Sequence, residues 1–169
     1  MRSNLAFRSD EEWERYPLFQ PASIGPKVAQ YQQFELRTAG GRQITITGNA
    51  PNFPEDLERA VVEILALDGL ENNWDSYDAR PVELPAIKCA IKFVLETCFP
   101  ICTVPRVAAN RAGGVDLHWS DAEKELEVSV RPDERFEALL TLEEAEFETP
   151  EPVGYSQAAE FLRRYRSAQ

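Results

Sequence analysis

Alternation of apolar and polar residues over the second half of the chain limits its fold more than any other feature of the sequence. The alternating stretches cover residues 104–108, 115–119, 126–131 and 136–142, and short turns separate them. Extended stretches joined by such turns pair with their neighbours in antiparallel fashion. The pattern therefore predicts a four-stranded meander with one buried face and one solvent-exposed face.

Helical periodicity before the meander predicts the layer that covers its buried face. Residues 54–67 and 85–99 both carry apolar side chains at helical spacing. Residues 33–38 and 43–47 alternate like strands and flank a Gly-Gly turn, which is a hairpin signal. We therefore predict an α+β fold. In it, a mostly antiparallel sheet, made of the N-terminal hairpin and the four-stranded meander, has two helices packed on one face and a C-terminal helix.

The first part of the chain is predicted to be an arm outside this domain. Residues 1–32 are rich in proline and carry Trp13, Tyr16 and Phe19, whose large apolar surfaces need a covering surface. They either pack onto the chain's own α+β domain, residues 33–155, or anchor a partner or a second copy. These three aromatic residues are therefore candidate binding residues.

The C-terminal part is predicted to be an acidic connector followed by a helix. Residues 143–152 are dominated by glutamate and proline. Residues 156–169 place apolar side chains at helical spacing, and Ser156 is a candidate N-cap. Arginines near the end of this segment suit either the negative end of a helix dipole or an acidic patch.

The segment between the two predicted helices is the main candidate for a functional site. Residues 67–81 contain Asp-Gly and Asn-Asn pairs that are typical of turns. Trp74 and Tyr77 can bury large apolar bodies while their N–H and O–H groups reach polar partners. Asp75, between them, can accept backbone N–H bonds and lock the loop. The three residues are therefore candidate partner-binding residues or loop anchors.

Residues 74–81 read Trp-Asp-Ser-Tyr-Asp-Ala-Arg-Pro. This stretch resembles a Trp-Asp-x-Tyr-x-Ala-x-Pro signature of small, largely uncharacterised bacterial proteins, in which a helix and a β-meander follow. The similarity extends over residues 55–140 and implies a shared fold and a bacterial origin, but it brings no catalytic residues. Those proteins often have glycine where this chain has Ser76 and Asp78. If the glycines adopt positive φ, the turn here has to be built differently.

The acidic character of the chain bears on the kind of partner it can bind. The formal net charge is −11, and the acidic residues are concentrated in residues 51–80 and 111–155. Such a surface repels nucleic-acid phosphates and suits a basic protein partner, although it also serves simply to maintain solubility. We expect a protein partner and no direct nucleic-acid binding, and a homo-oligomer is an open alternative.

The sequence contains no pattern typical of a membrane anchor or an export signal. No apolar run approaches the roughly 20 residues that a membrane-spanning helix needs, and the first residues lack the apolar core of a signal peptide. Three cysteines, an odd number, suggest reduced thiols. We therefore expect a cytoplasmic protein that does not bind membranes.

Catalytic and metal-binding arrangements have little support in the sequence. The single histidine, His118, alternates onto the exposed sheet face, whereas Cys89 and Cys98 belong to a helix on the other face. These two cysteines diverge by roughly 180° around a helix, so together with Cys102 they do not make a zinc site. The carboxylates of residues 67–81 could hold a hard cation or take part in catalysis, but locking the loop is the favoured role. We expect no catalytic set, no metal and no cofactor.

These patterns lead to one main functional hypothesis and two alternatives. The main hypothesis is a non-enzymatic protein-binding accessory, an antitoxin- or immunity-type subunit of a bacterial defence or toxin-neutralising system. The first alternative is a small hydrolase that uses Asp75, Tyr77 and His118. The second is an acidic inhibitor that mimics nucleic acid. The exposed sheet face is either an interaction surface or a solvated face.

Overall fold

Two antiparallel sheets and three α-helices form the part of the chain that the computed structural model describes, which is residues 32–48, 55–98, 103–143 and 145–168. The predicted α+β class is confirmed. None of these helices is long and apolar enough to cross a membrane. A short 3-10 turn, Leu67–Gly69, follows the first helix. In chain order the elements are β1 (Gln32–Arg37), β2 (Gln43–Gly48), α1 (Glu55–Ala66), α2 (Leu84–Cys98), β3 (Arg106–Ala109), β4 (Val115–Ser120), β5 (Lys124–Val130), β6 (Phe136–Leu142), β7 (Ala145–Glu148) and α3 (Tyr155–Ser167).

The meander has five strands rather than the predicted four, and it forms a sheet of its own, apart from the N-terminal hairpin. Its order is β3-β4-β5-β6-β7, and every pair of neighbours is antiparallel. Strand β7 lies within the acidic residues 143–152, so the prediction of a connector is wrong for Ala145–Glu148. A turn with Glu143 at φ 52° precedes the strand. An edge strand needs a neighbour on one side only and tolerates charge, so the acidic composition does not prevent pairing.

The N-terminal hairpin is a separate two-stranded sheet that is fixed to the end of α1. Leu36 of β1 lies opposite Ile44 of β2, and both side chains are buried. At the hairpin turn, the hydroxyl of Thr38 donates to the carboxylate of Asp68, and Nε of Arg42 donates to the same carboxylate at 3.0 Å. Asp68 is therefore a structural link between the hairpin and α1.

One face of the five-stranded sheet is buried beneath the helices. The inward side chains of β4 and β5 are all buried, as the alternation predicts: Val115, Leu117, Trp119, Leu126, Val128 and Val130. Helix α2 adds Phe93, whose ring centroid lies 5.2 Å from that of Phe136 on β6. The other face, with Glu127 and Glu137, is exposed to solvent.

Ser156 lies in the first turn of helix α3 and is not its N-cap, contrary to the prediction. The cap is Gly154, whose N–H donates to the side-chain oxygen of Gln157 at 3.4 Å. Near the other end of the helix, Nη1 of Arg166 donates to the carbonyl of Thr97 at 2.6 Å. Arg166 therefore satisfies a carbonyl in the last turn of α2, where a positive charge also complements the helix dipole.

Candidate functional site

The loop between the 3-10 turn and α2 is closed by Asn73. The N–H of Asn73 donates to the carbonyl of Ala79 at 2.7 Å, and its side-chain oxygen accepts from the N–H of Asp78 at 2.7 Å. The carbonyl of Asn73 also accepts from the N–H of Ser76 at 3.0 Å. One residue therefore joins the two sides of the loop, as the turn-forming character of Asn favours. We call residues 73–80 the Tyr77 loop.

Asp75 locks the Tyr77 loop from inside. Its Oδ1 accepts from the N–H groups of Tyr77 at 2.7 Å and Ala79 at 3.2 Å, and its Oδ2 lies 2.9 Å from Nε of Arg111 in the β3–β4 turn. Burial raises the pKa of Asp75, but the two N–H donors and Arg111 outweigh it and lower that pKa below its usual value. Asp75 is therefore an ionised anchor at neutral pH.

Trp74 is tied to the loop by a hydrogen bond and is only partly buried. Its Nε1–H donates to the carbonyl of Arg80 at 3.0 Å, so the indole N–H has the polar partner that the sequence predicts. The ring lies outside the main hydrophobic cluster of the described residues. Trp74 therefore stabilises the loop itself more than the domain core.

Tyr77 is the most exposed large apolar side chain of the described residues. It is 74% exposed, so it does not bury its ring as the sequence led us to expect. The guanidinium of Arg111 lies 5.8 Å from the ring centroid and donates to the carbonyl of Tyr77. Arg111 also pairs with Asp75. The same arginine therefore contacts the Tyr77 ring, the Tyr77 carbonyl and the carboxylate of Asp75.

Three residues of the Tyr77 loop adopt left-handed backbone conformations without being glycine. Asn73, Ser76 and Asp78 have φ values of 61°, 64° and 69°. Ser76 and Asp78, the two positions where the resemblance would place glycine, therefore adopt positive φ in this chain without being glycine. Such conformations cost about 1 kcal/mol or more for residues with a Cβ, although Asn and Asp tolerate them best.

The β3–β4 turn supports the loop from below. The N–H of Arg80 donates to the carbonyl of Arg111 at 3.0 Å, and the N–H of Glu83 donates to the carbonyl of Gly113 at 2.9 Å. A Cβ at Gly113, which has φ 88°, would lie 2.9 Å from the carbonyl oxygen of Pro81. The turn approaches the loop this closely because position 113 has no side chain.

The other titratable candidates are spread over different parts of the fold. Nε2 of His118 contacts a carboxylate oxygen of Glu125 on the exposed sheet face. Cys89 and Cys98 lie on α2, and burial together with Glu134 raises the pKa of Cys89 to about 11. Among the described residues, no three His, Cys, Asp or Glu side chains are placed to hold a metal ion. Cys102 lies outside the described residues.

Sequence reasoning identified Trp74, Asp75 and Tyr77 as one group, and the structure brings them together with a fourth residue that it missed. Arg111 contacts both Asp75 and Tyr77, yet it is separated from them by α2 and β3 in the chain. No local pattern marks this arginine in a single sequence. The arm residues Trp13, Tyr16 and Phe19 lie outside the described residues, so their role stays a prediction.

Comparison with known proteins does not assign the chain to a family. No protein-family model matches the sequence, and neither a curated protein nor a solved structure is significantly similar to it. The resemblance of residues 74–81 to the small bacterial proteins therefore stays a prediction. The functional argument has to come from the geometry of the Tyr77 loop and of the sheet.

Proposed function

We propose that this chain is a non-enzymatic protein-binding accessory, an antitoxin- or immunity-type subunit of a bacterial defence or toxin-neutralising system. The observation that carries the proposal is the display of Tyr77, which is 74% exposed on a loop locked by Asp75 and Arg111. The chain gains nothing in its own core from a side chain placed in this way. A partner surface would gain a rigid aromatic anchor.

Tyrosine and arginine are among the residues that contribute most to binding energy at protein interfaces. Tyr77 and Arg111 are adjacent, and Arg111 contacts both the ring and the backbone carbonyl of Tyr77 in the free chain. A prearranged anchor loses little conformational freedom on binding, which favours affinity. The left-handed residues Ser76 and Asp78 on either side fit this interpretation, since local backbone strain is concentrated at functional sites.

The bacterial setting and the cytoplasmic location belong to the proposal as well. The first is supported by the signature at residues 74–81, and the second by the odd number of cysteines. The hydrolase that would use Asp75, Tyr77 and His118, and the inhibitor that mimics nucleic acid, remain alternative hypotheses.

Site-specific crosslinking tests the proposal even though the partner is unidentified. A photoreactive phenylalanine analogue is placed at position 77 in one version of the full chain and at position 88, exposed on α2, in a control version. Both are expressed in source cells, irradiated and analysed by mass spectrometry. We expect one protein to crosslink at position 77 and not at position 88. Equal labelling at both positions, or none at 77, would contradict the proposal.

A further inference from the structure

Strand β7 leaves one edge of the five-stranded sheet open among the described residues. It pairs with β6 on one side, with Leu139 opposite Glu148 and Leu142 opposite Ala145. All four of its residues are exposed. The edge lies at the opposite end of the strand order from β3, whose turn to β4 supports the Tyr77 loop. It is therefore a second surface, separate from that loop.

The ladder between β6 and β7 fixes which backbone groups point away from the sheet. The N–H of Thr149 donates to the carbonyl of Ala138 at 3.0 Å. Hydrogen-bonded and non-hydrogen-bonded pairs alternate in an antiparallel ladder. The backbone N–H and C=O groups of Phe147 therefore point toward β6. By the same alternation, the N–H and C=O groups of Glu146 and Glu148 point outward, where a further strand would pair.

Side chains of opposite character alternate along this edge. Glu146 and Glu148 lie on the exposed sheet face, because they stand opposite Thr141 and Leu139 of β6. Phe147 lies on the other face and is 42% exposed, beyond the cover that the helices provide. A strand added to β7 would therefore meet carboxylates on one face and an aromatic ring on the other.

Negative charge continues from β7 onto the neighbouring part of the exposed face, as far as Glu137, which is paired with Arg131 at 2.7 Å. A groove of about 410 Å³ beside the strand is lined by four glutamates and by no basic side chain: Glu127, Glu137, Glu148 and Glu151. Leu139, 37% exposed, lies between Glu127 and Glu148 in the register. Among the described residues, Glu127, Glu146 and Glu148 have no cationic partner. Uncompensated carboxylates around an apolar side chain suit the aliphatic stem and charged head of lysine or arginine.

We propose that β7 is the docking edge for a basic β-strand of a partner protein. The partner strand adds to the sheet through the outward groups of Glu146 and Glu148, which is the β-augmentation mode of recognition. Its alternate residues are lysine or arginine over the exposed face and apolar beside Phe147. The β7 strand of a second copy does not fit, because pairing two β7 strands brings glutamates opposite one another, and like charges in that position are destabilising.

A synthetic strand provides the probe. The peptide Lys-Val-Lys-Val-Lys-Val-Lys carries the required alternation, and Glu-Val-Glu-Val-Glu-Val-Glu is its charge-reversed control. Binding of both to the full chain is measured by titration calorimetry at physiological ionic strength. Amide chemical shifts locate the contact. We expect the basic peptide alone to bind, with the largest shifts at β7. Equal binding of both peptides, or shifts spread over other acidic surfaces, would overturn the proposal.

Matched variants separate strand addition from general attraction to an acidic protein. Glu146→Gln with Glu148→Gln, and Glu55→Gln with Glu71→Gln, each remove two charges from exposed positions. We expect the β7 pair to weaken binding about tenfold, and the control pair less than about threefold. Equal losses would mean diffuse attraction and refute the proposal.

Proline tests the backbone contact. Glu146→Pro removes the outward N–H and the charge together, whereas Glu146→Gln removes the charge alone. We expect the proline variant to bind at least about threefold more weakly than the glutamine variant, the loss of one hydrogen bond. Equal affinity of these two variants would exclude strand addition. The role of Glu146 and Glu148 would then be to prevent this edge strand from pairing with other chains and aggregating. Neither variant touches the Tyr77 loop, so this proposal and the proposed function can fail separately.

Discussion

Replacing Ser76 by glycine should stabilise the protein, contrary to the usual effect of introducing glycine. Ser76 has φ 64°, is exposed, and keeps its backbone bond to Asn73 whatever its side chain. A residue with a Cβ loses about 1–2 kcal/mol in this conformation, and glycine does not. Glycine in turn loses about 0.5–1 kcal/mol through its freer unfolded chain. The net expectation is a gain of about 0.5–1 kcal/mol in the free energy of unfolding.

Urea denaturation followed by tryptophan fluorescence measures this change, and two controls fix its interpretation. Ser156→Gly, in the first turn of α3, should lower the free energy of unfolding by about 0.5 kcal/mol, because glycine has a lower helix propensity than serine. Gly41→Ser introduces a side chain at φ 79° with open space around it and should cost about 1 kcal/mol. A loss for Ser76→Gly comparable to that of Ser156→Gly would refute the left-handed geometry of the Tyr77 loop.

The same contacts support three further predictions. Trp74→Phe should cost about 1 kcal/mol through the lost bond to the Arg80 carbonyl, and Trp74→Ala about 1–3 kcal/mol rather than the larger cost of a fully buried ring, as urea titration would show. The pKa of Asp75 is lower in the folded than in the unfolded chain. The stabilisation that its ionised carboxylate provides is therefore present above the unfolded-state pKa and is lost as the pH falls through the folded-state pKa. The stability difference between the parent and Asp75→Asn, measured by thermal melts, should therefore narrow below about pH 4; a constant difference would contradict this. EDTA should leave the melting temperature unchanged, and a drop restored by Zn²⁺ or Ca²⁺ would reveal a metal site.

Side-chain alternation predicted strands β3 to β6 of the larger sheet well, because its buried face carries apolar residues and its exposed face carries mostly polar ones. Val115, Leu117 and Trp119 are buried, and their neighbours are at least partly exposed, so the period of two is clear. Strand β7 also alternates, but over only four residues, all of them exposed, within a segment whose glutamate and proline content is typical of a connector. Its pairing depends on the position of β6, which only the folded chain supplies.

The candidate site was predictable in its local part and not in its long-range part. The role of Asp75 as an acceptor of nearby N–H groups follows from its residue type and its place in a turn. The contact with Arg111 does not, because it depends on how α2 and β3 pack. The residue type alone does not decide whether Tyr77 is buried or exposed, since its ring is apolar and its hydroxyl polar. Asp68, which we grouped with the loop carboxylates, instead fixes the hairpin to α1.

The affinity of the crosslinked partner for variants of Tyr77 tests the central claim most directly. Tyr77→Ala removes the exposed ring, whereas Tyr77→Phe keeps the ring and removes only the hydroxyl. If the ring is an interface anchor, Tyr77→Ala should weaken binding by at least about 30-fold, the cost of a typical hot-spot residue, and Tyr77→Phe should stay close to the parent. Both variants should melt like the parent, because the side chain is 74% exposed. Parent-like affinity of Tyr77→Ala would contradict the account.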